Sequence, residues 1–306
     1  MANVLSFVRR PATAPAGDAT LAAFLAGASI EVMPRTAARV PDFRAILPAG
    51  TRVYVAHIDG TGTAEMVETC RRLVAEGFRA MPHVPARGIA SRAELDARLA
   101  AYAEAGVTEA LVLAGGIDRP RGPFAETMDL LATGAFARHG FTRLHVAGHP
   151  EGNRDIDPEG GETRAMAALR AKAAFAAETG APMAIVTQFA FEAAPIVAWA
   201  DRLRAEGIAL PIHVGIAGPA KLQTMIKFAM ACGVGPSLRV LTRRAADLSN
   251  LVLPFEPTAL LAELAAHKAA NPALQIEAAH FFPLGGIGAT ADYLASASAA
   301  PARARA

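Results

Sequence analysis

Hydrophobic and polar positions along this chain repeat one phrase eight times. A short apolar run stops abruptly at polar residues, glycine or proline, and an alanine-rich stretch with helical spacing follows. The clearest copies are Ser29-Ile-Glu-Val-Met-Pro34, Arg52-Val-Tyr-Val-Ala-His57, Phe78-Arg-Ala-Met-Pro-His83 and Glu109-Ala-Leu-Val-Leu-Ala-Gly-Gly116. Four more are Arg143-Leu-His-Val-Ala-Gly-His-Pro150, Met183-Ala-Ile-Val-Thr-Gln-Phe189, Leu210-Pro-Ile-His-Val-Gly-Ile216 and Ile276-Glu-Ala-Ala-His-Phe-Phe282. Eight strand-then-helix units in this length predict a (β/α)8 TIM barrel, with parallel strands and right-handed connections. Such barrels place their chemistry at the C-terminal strand ends, where this chain keeps its polar residues. The competing architecture, an open doubly wound sheet, lacks its Gly-x-Gly-x-x-Gly signature after the first strand.

The intervening stretches read as helices from their 3.6-residue period. Residues 63–76 place Met66, Val67, Cys70 and Val74 on one side and end at Gly77; residues 91–105 open with a capping box and end at Gly106. Single helices are predicted at 124–139, 162–179 and 192–206, and a seventh runs from Pro219 to Gly233. The long segment before the last strand predicts an extra short helix near 243–248 ahead of one at 256–270. One catalytic domain is expected at 29–297, preceded by a tail and lead-in helix at 1–28 and followed by a disordered tail at 298–306.

Composition narrows the field. A hydrophobic content of 53% in 306 residues supports one large core, and a net charge of +2 gives no bulk attraction for nucleic acid or an anionic membrane. No apolar run approaches the roughly 18 residues of a membrane span. Cys70 and Cys232 form no CxxC pair. Arg9-Arg10 is followed by a Pro- and Ala-rich stretch rather than an export signal's apolar segment, so a cytoplasmic location is expected. Oligomeric state stays open.

Glu31 lies inside the first strand, where a carboxylate is costly to bury without partners. It reads either as a structural carboxylate at the barrel mouth or as a general acid whose pKa is raised by apolar neighbours. Six of the eight histidines, His57, His83, His145, His149, His213 and His280, fall in or at the ends of strands. No metal site follows, because on a strand His145 and His149 stand roughly 13 Å apart. Gln188 and Phe189 offer hydrogen bonding and stacking to a planar heterocycle. Gly115-Gly116 permits close approach to the backbone, and Gly285-Gly-Ile-Gly288 reads as a turn because its spacing matches no phosphate-loop fingerprint.

Taken in order, these motifs resemble the methylenetetrahydrofolate reductase family, flavin-dependent barrels that reduce methylenetetrahydrofolate to methyltetrahydrofolate. The resemblance runs from about Ser29 to Leu284. Ser29-Ile-Glu-Val-Met-Pro-Arg35 is similar to the family's Ser-Phe-Glu-Phe-Phe-Pro-Pro-Arg and implies that Glu31 is the general acid. Ala80-Met-Pro-His83 resembles Ala-x-Pro-His, whose histidine lies by the flavin. Ala147-Gly-His-Pro-Glu151 resembles Ala-x-Tyr-Pro-Glu, implying flavin contacts at His149, Pro150 and Glu151. Ile185-Val-Thr-Gln-Phe-Ala-Phe-Glu192 resembles Ile-Thr-Gln-x-Phe-Phe-Asp, implying that Gln188, with Phe189, contacts folate. The segment Gly215-Ile216 through Lys227-Phe-Ala229 puts the substrate-stacking phenylalanine on Phe228, and Phe281 on the last strand is a further expected substrate contact.

Several positions depart from the family. Its Arg-Gly-Asp after the fourth strand reads Ala114-Gly115-Gly116, leaving Asp118 as the substitute carboxylate near the flavin. Its threonine after the second strand falls on Ala56 beside His57, a glutamine falls on Thr224, and its flavin-phosphate lysine falls on Lys172. The resemblance implies FAD as cofactor, NADH or NADPH as co-substrate and folate as substrate. It leaves open a chain that mainly oxidises 5-methyltetrahydrofolate, and a folate-binding barrel without tightly held flavin.

Overall fold

In each apolar run alternate side chains face opposite sides, so one set can fill a lumen while the other packs under helices. The computed structural model describes residues 18–231 and 254–299 and realises that arrangement. Its strands are β1 (Ser29–Val32), β2 (Arg52–Val55), β3 (Arg79–Pro85), β4 (Glu109–Leu113), β5 (Arg143–Gly148), β6 (Met183–Ala190), β7 (Ile212–Ala217) and β8 (Ile276–Phe282). They close into a barrel in chain order, every pair parallel, with β1 joined to β8 through Ser29–His280 and Ile30–Phe281. The sequence therefore specifies a (β/α)8 barrel.

The outward set, including Ile30, Val53, Val84, Val112, Val146, Ile185, Val214 and Phe281, merges with helix residues such as Leu73, Leu99, Trp199 and Leu261 in one continuous core. Each such buried aliphatic side chain contributes about 2 kcal/mol of transfer free energy. The inward set forms a smaller cluster in the lumen, Tyr54, Met81, Leu111 and Val186.

Helices Thr63–Ala75, Arg92–Glu104, Thr163–Thr179, Ala193–Ala205 and Thr258–Ala270 occupy the predicted stretches. Ser91 caps its helix by accepting from the Glu94 N–H at 3.1 Å, and the Glu94 carboxylate returns to the Ala90 N–H. The predicted helix at 124–139 is instead two short ones, Thr127–Leu131 and Ala135–Arg138. Gly134, at φ 66°, takes a left-handed conformation that interrupts the helical run. On helix Thr63–Ala75 the buried face includes Leu73 rather than Val74. The seventh helix begins at Leu222, not Pro219, because Ala220 first pairs with Phe255. Gly233, Cys232 and the expected helix near 243–248 lie outside the described residues, as do 1–17 and 300–306. Among the described residues no helix is long and apolar enough to cross a membrane.

Candidate functional site

The strands stop short of their polar ends: β1 ends at Val32 and β4 at Leu113, so Met33 and Ala114–Gly116 lie in connections over the C-terminal mouth, and Pro34 opens a short helix, Pro34–Ala37. A cavity of about 580 Å³ opens there, walled by Glu31, His57, His83, Gln188, Phe189, Phe228 and Phe282, with Arg39 and Ile58 at its edge.

Gln188 reaches this cavity through an irregularity in β6. The register between β6 and β7 shifts between Val186 and Phe189. A bulge of this kind re-aims a side chain. The Thr187 hydroxyl stabilises it, donating to the Gln188 carbonyl at 2.8 Å and accepting from the Gly215 N–H at 2.8 Å. A Cβ on Gly215 would overlap the Thr187 and Gln188 backbone, so glycine lets β7 lie against the bulge. Phe189 N–H donates to Gln188 Oε1 at 3.1 Å, leaving the amide nitrogen for a ligand.

Glu31 sits between two imidazoles that approach the same oxygen: His83 Nε2 at 3.2 Å and His280 Nε2 at 3.8 Å from Oε2. Ser29 Oγ lies 2.9 Å from His280 Nδ1, fixing that ring from behind. The expectation of a raised pKa is corrected. Burial pushes the Glu31 carboxyl up, but hydrogen bonds and charge from His280 and His83 together outweigh it and hold the group down at about 2. About a fifth of the carboxylate side chain reaches the cavity, and it does so ionised.

A second cavity, about 680 Å³, shares His57 and Ile58 with the first and extends over Gly115, Gly116, Arg98 and Arg121. Burial, then the charges of Arg98 and His83, lower the His57 pKa, so the ring there is neutral. Gly116 brings no carboxylate to this wall, and Asp118, exposed two residues on, lines neither cavity. The Ala114 carbonyl is engaged by the Arg87 N–H at 2.9 Å.

Beyond β5, Pro150 is buried and Glu151 half-buried in the turn that follows His149. Burial and the charge of Lys172 bring the His149 pKa down to about 4, and Asn153 Nδ2 donates to its Nδ1 at 3.4 Å. Lys172 is 8% exposed and, among the described residues, has no hydrogen-bond or ion-pair partner; burial lowers its pKa to about 8 against a weaker pull from Glu126. A buried, unpartnered ammonium suits an anionic ligand group.

Two expected substrate contacts lie elsewhere. Phe281 points outward into the helix layer, fully buried with its ring 6.3 Å from that of Tyr293. Its neighbour Phe282 lines the cavity, 5.5 Å from Phe189 and 4.8 Å from His280 between ring centroids. The period of two, counted from His280, carried that signal. Thr224 faces a different cavity, about 750 Å³, beside Lys221, Glu256 and Asp292. Thr36 and Arg39 line the mouth cavity without any motif having marked them.

No protein-family model matches the chain. Among solved structures, it is similar to an uncharacterized protein from Clostridium thermocellum that binds two copies of 5-methyl-5,6,7,8-tetrahydrofolic acid. That match has 9% identity over 91% of this chain and 97% of the other, with a TM-score of 0.54. It is also similar to dihydropteroate synthase from Thermus thermophilus, at 16% identity over 88% of this chain and 92% of that one, with a TM-score of 0.44. At these identities the likeness establishes the barrel fold alone.

Proposed function

We propose that this chain is a flavin-dependent oxidoreductase that interconverts 5,10-methylenetetrahydrofolate and 5-methyltetrahydrofolate, with NADH or NADPH as the hydride source. The observation that carries this reading is the mouth cavity. There an ionised carboxylate and a freely presented glutamine amide converge inside a wall of Phe189, Phe228 and Phe282. That combination suits a flat heterocycle with hydrogen-bonding edges that gains positive charge as it reacts.

FAD, when bound, supplies two-electron hydride chemistry. The residues fit it at one end: Lys172 offers an unneutralised cation for a phosphate, with His149 beside it. Gly115 and Gly116 leave the backbone open to a ring system on the wall shared with His57. No carboxylate stands at Gly116, so the flavin would be held with less negative charge than the reductase family provides.

Gln188 orients the pterin and Phe228, 38% exposed at the rim, closes over it. Glu31 stabilises the 5-iminium cation that opening of the methylene bridge creates. In the opposite direction the same carboxylate favours forming the iminium from 5-methyltetrahydrofolate.

A second reading, a folate-binding barrel without flavin, draws on the missing carboxylate at Gly116. The Clostridium thermocellum neighbour, which binds 5-methyl-5,6,7,8-tetrahydrofolic acid, supports it as an analogy of fold. The absorption spectrum of the purified protein separates the two. Oxidised-flavin bands that bleach on adding NADH or 5-methyltetrahydrofolate are expected. A colourless protein that binds folate and shows no turnover with added FAD would overturn the oxidoreductase reading.

A further inference from the structure

The flavin ring accounts for only the Gly115–Gly116 side of the second cavity. Much of the remaining wall is the loop after β2, Asp59-Gly60-Thr61-Gly62-Thr63, together with Arg98 and Arg121. This loop runs directly into helix Thr63–Ala75, thirteen residues long, with Gly62 as its N-cap. Glycine has no side chain to accept from the first turn. The first intrahelical bond is from the Met66 N–H to the Gly62 carbonyl at 3.2 Å. The amides of Thr63, Ala64 and Glu65 therefore lack the side-chain acceptor that Ser91 supplies on the next helix.

Arg98 points to a ligand independently. It comes from helix Arg92–Glu104 and lines the same cavity with its side chain 8% exposed. Its Nη2 donates to Glu94 Oε1 at 2.8 Å, its Nε is buried without a partner, and its Nη1 makes no hydrogen bond among the described residues. The other Glu94 oxygen accepts from the Ala90 N–H at 2.9 Å, so that carboxylate is shared with the end of its own helix. A buried guanidinium with open N–H groups is costly unless an acceptor arrives. Its charge reaches the cavity: after burial, Arg98 does most to lower the His57 pKa. At the outer edge Arg121 donates to Asp59 at 3.2 Å, with both side chains more than half exposed, a pair of little strength that opens readily.

We propose that the Gly60–Thr63 loop, the first turn of helix Thr63–Ala75 and Arg98 form a binding site for a phosphate group of the dinucleotide that donates hydride. The helix amides surround an anion with donors, the hydroxyls of Thr61 and Thr63 line the same wall, and Arg98 supplies the charge. The carboxylates at the site, Glu94 and Asp59, are each tied to an arginine. Assignment to the hydride donor rests on the function proposed above; the phosphate site itself does not. FAD has its own phosphate partner in Lys172 beyond β5, and the mouth cavity must take nicotinamide and pterin in turn. A nicotinamide seated there sends its diphosphate past His57 and Ile58, which belong to both cavities, into the second one. Pro85, Leu113 and Ile117 offer apolar surface beside it for the adenosine half.

Gly62→Asp tests the site without weakening the fold. Gly62 has φ −71°, and nothing lies within 4 Å of where its Cβ would stand. Aspartate fits there, caps the helix with its own carboxylate and puts negative charge where the phosphate would lie. The full chain is titrated calorimetrically with ADP-ribose, which carries the diphosphate without nicotinamide. The wild type should bind it, and both Gly62→Asp and Arg98→Gln should bind it at least about tenfold more weakly. The thermal midpoint of Gly62→Asp should stay at or above that of the wild type, and its FAD affinity should not change. No binding to the wild type, or unaltered binding to Gly62→Asp, overturns the site. FAD affinity that falls in step with ADP-ribose gives the site to the flavin and overturns the assignment to the hydride donor. Flavin that NADH fails to bleach would sink the proposed reaction, and the ADP-ribose titrations would still decide the phosphate site.

Discussion

Lys172, on helix Thr163–Thr179, carries a charge with no hydrogen-bond or ion-pair partner among the described residues, and replacing it with methionine removes the charge while keeping an unbranched chain. Burial brings its pKa from 10.5 to about 8, with Glu126 pulling partly back. That drop corresponds to a penalty of about 3 kcal/mol on the charged form. The unfolded chain keeps this proton up to its ordinary pKa, whereas the folded chain keeps it only to about 8. The unfolded state therefore binds more protons between those values, and stability rises with pH across that window. Below it the wild type bears the full penalty. Lys172→Met should accordingly be more stable at neutral pH by about 1–3 kcal/mol, an advantage that shrinks as pH approaches the unfolded value. Urea denaturation from about pH 7 to about pH 10, extrapolated linearly, reads both quantities. Adding FAD should stabilise the wild type by mass action and the variant much less. A variant that is less stable at neutral pH, with the same pH slope as the wild type, would refute the account by showing that the fold itself satisfies the ammonium.

Glu31→Gln should lower folate turnover by about 10²–10⁴-fold while flavin reduction by NADH persists; equal loss of both half-reactions in stopped-flow traces would make Glu31 structural. Gly215→Ala forces a Cβ to within 2.7 Å of the Gln188 carbonyl and should cost about 1–3 kcal/mol in urea denaturation, together with weaker folate binding. An alanine variant with unchanged stability and affinity would show that the bulge does not depend on that glycine. The buried rings of His145 and His213 have pKa values held below the ordinary 6.5, chiefly by burial. Their contribution to stability is complete above that value and is lost as the unfolded chain takes up protons below it. A flat stability profile between about pH 7 and about pH 5 would contradict their being buried and neutral.

The barrel was legible because alternation and helical period are local properties: Val53 and Val55 announce an outer face whatever stands across the lumen. Where the chain stops being regular, local reading lost its purchase. Nothing near residue 124 reveals that Gly134 will turn left-handed and divide a helix, since glycine is also tolerated within one. Glu31 and Gln188 could be marked as candidate site residues from motif order, yet their physical states are set from other strands. The Glu31 proton depends on His83 from β3 and His280 from β8, and sequence neighbours alone suggested the opposite shift. Gln188 enters the mouth because Gly215 on β7 yields room for a bulge on β6. Phe281 failed for a simpler reason: the period of two that defines a strand assigns the cavity to Phe282 once His280 faces inward. The lumen cluster of Tyr54, His145 and His213, in which Tyr54 Oη lies 2.5 Å from His145 Nδ1 and the two imidazole rings stand 4.6 Å apart, was the least legible. Its members come from β2, β5 and β7, and as single histidines or a single tyrosine each fits an ordinary core position. Closure of the barrel brings them together, and His213 reaches the half-exposed carboxylate of Glu277 at 2.8 Å.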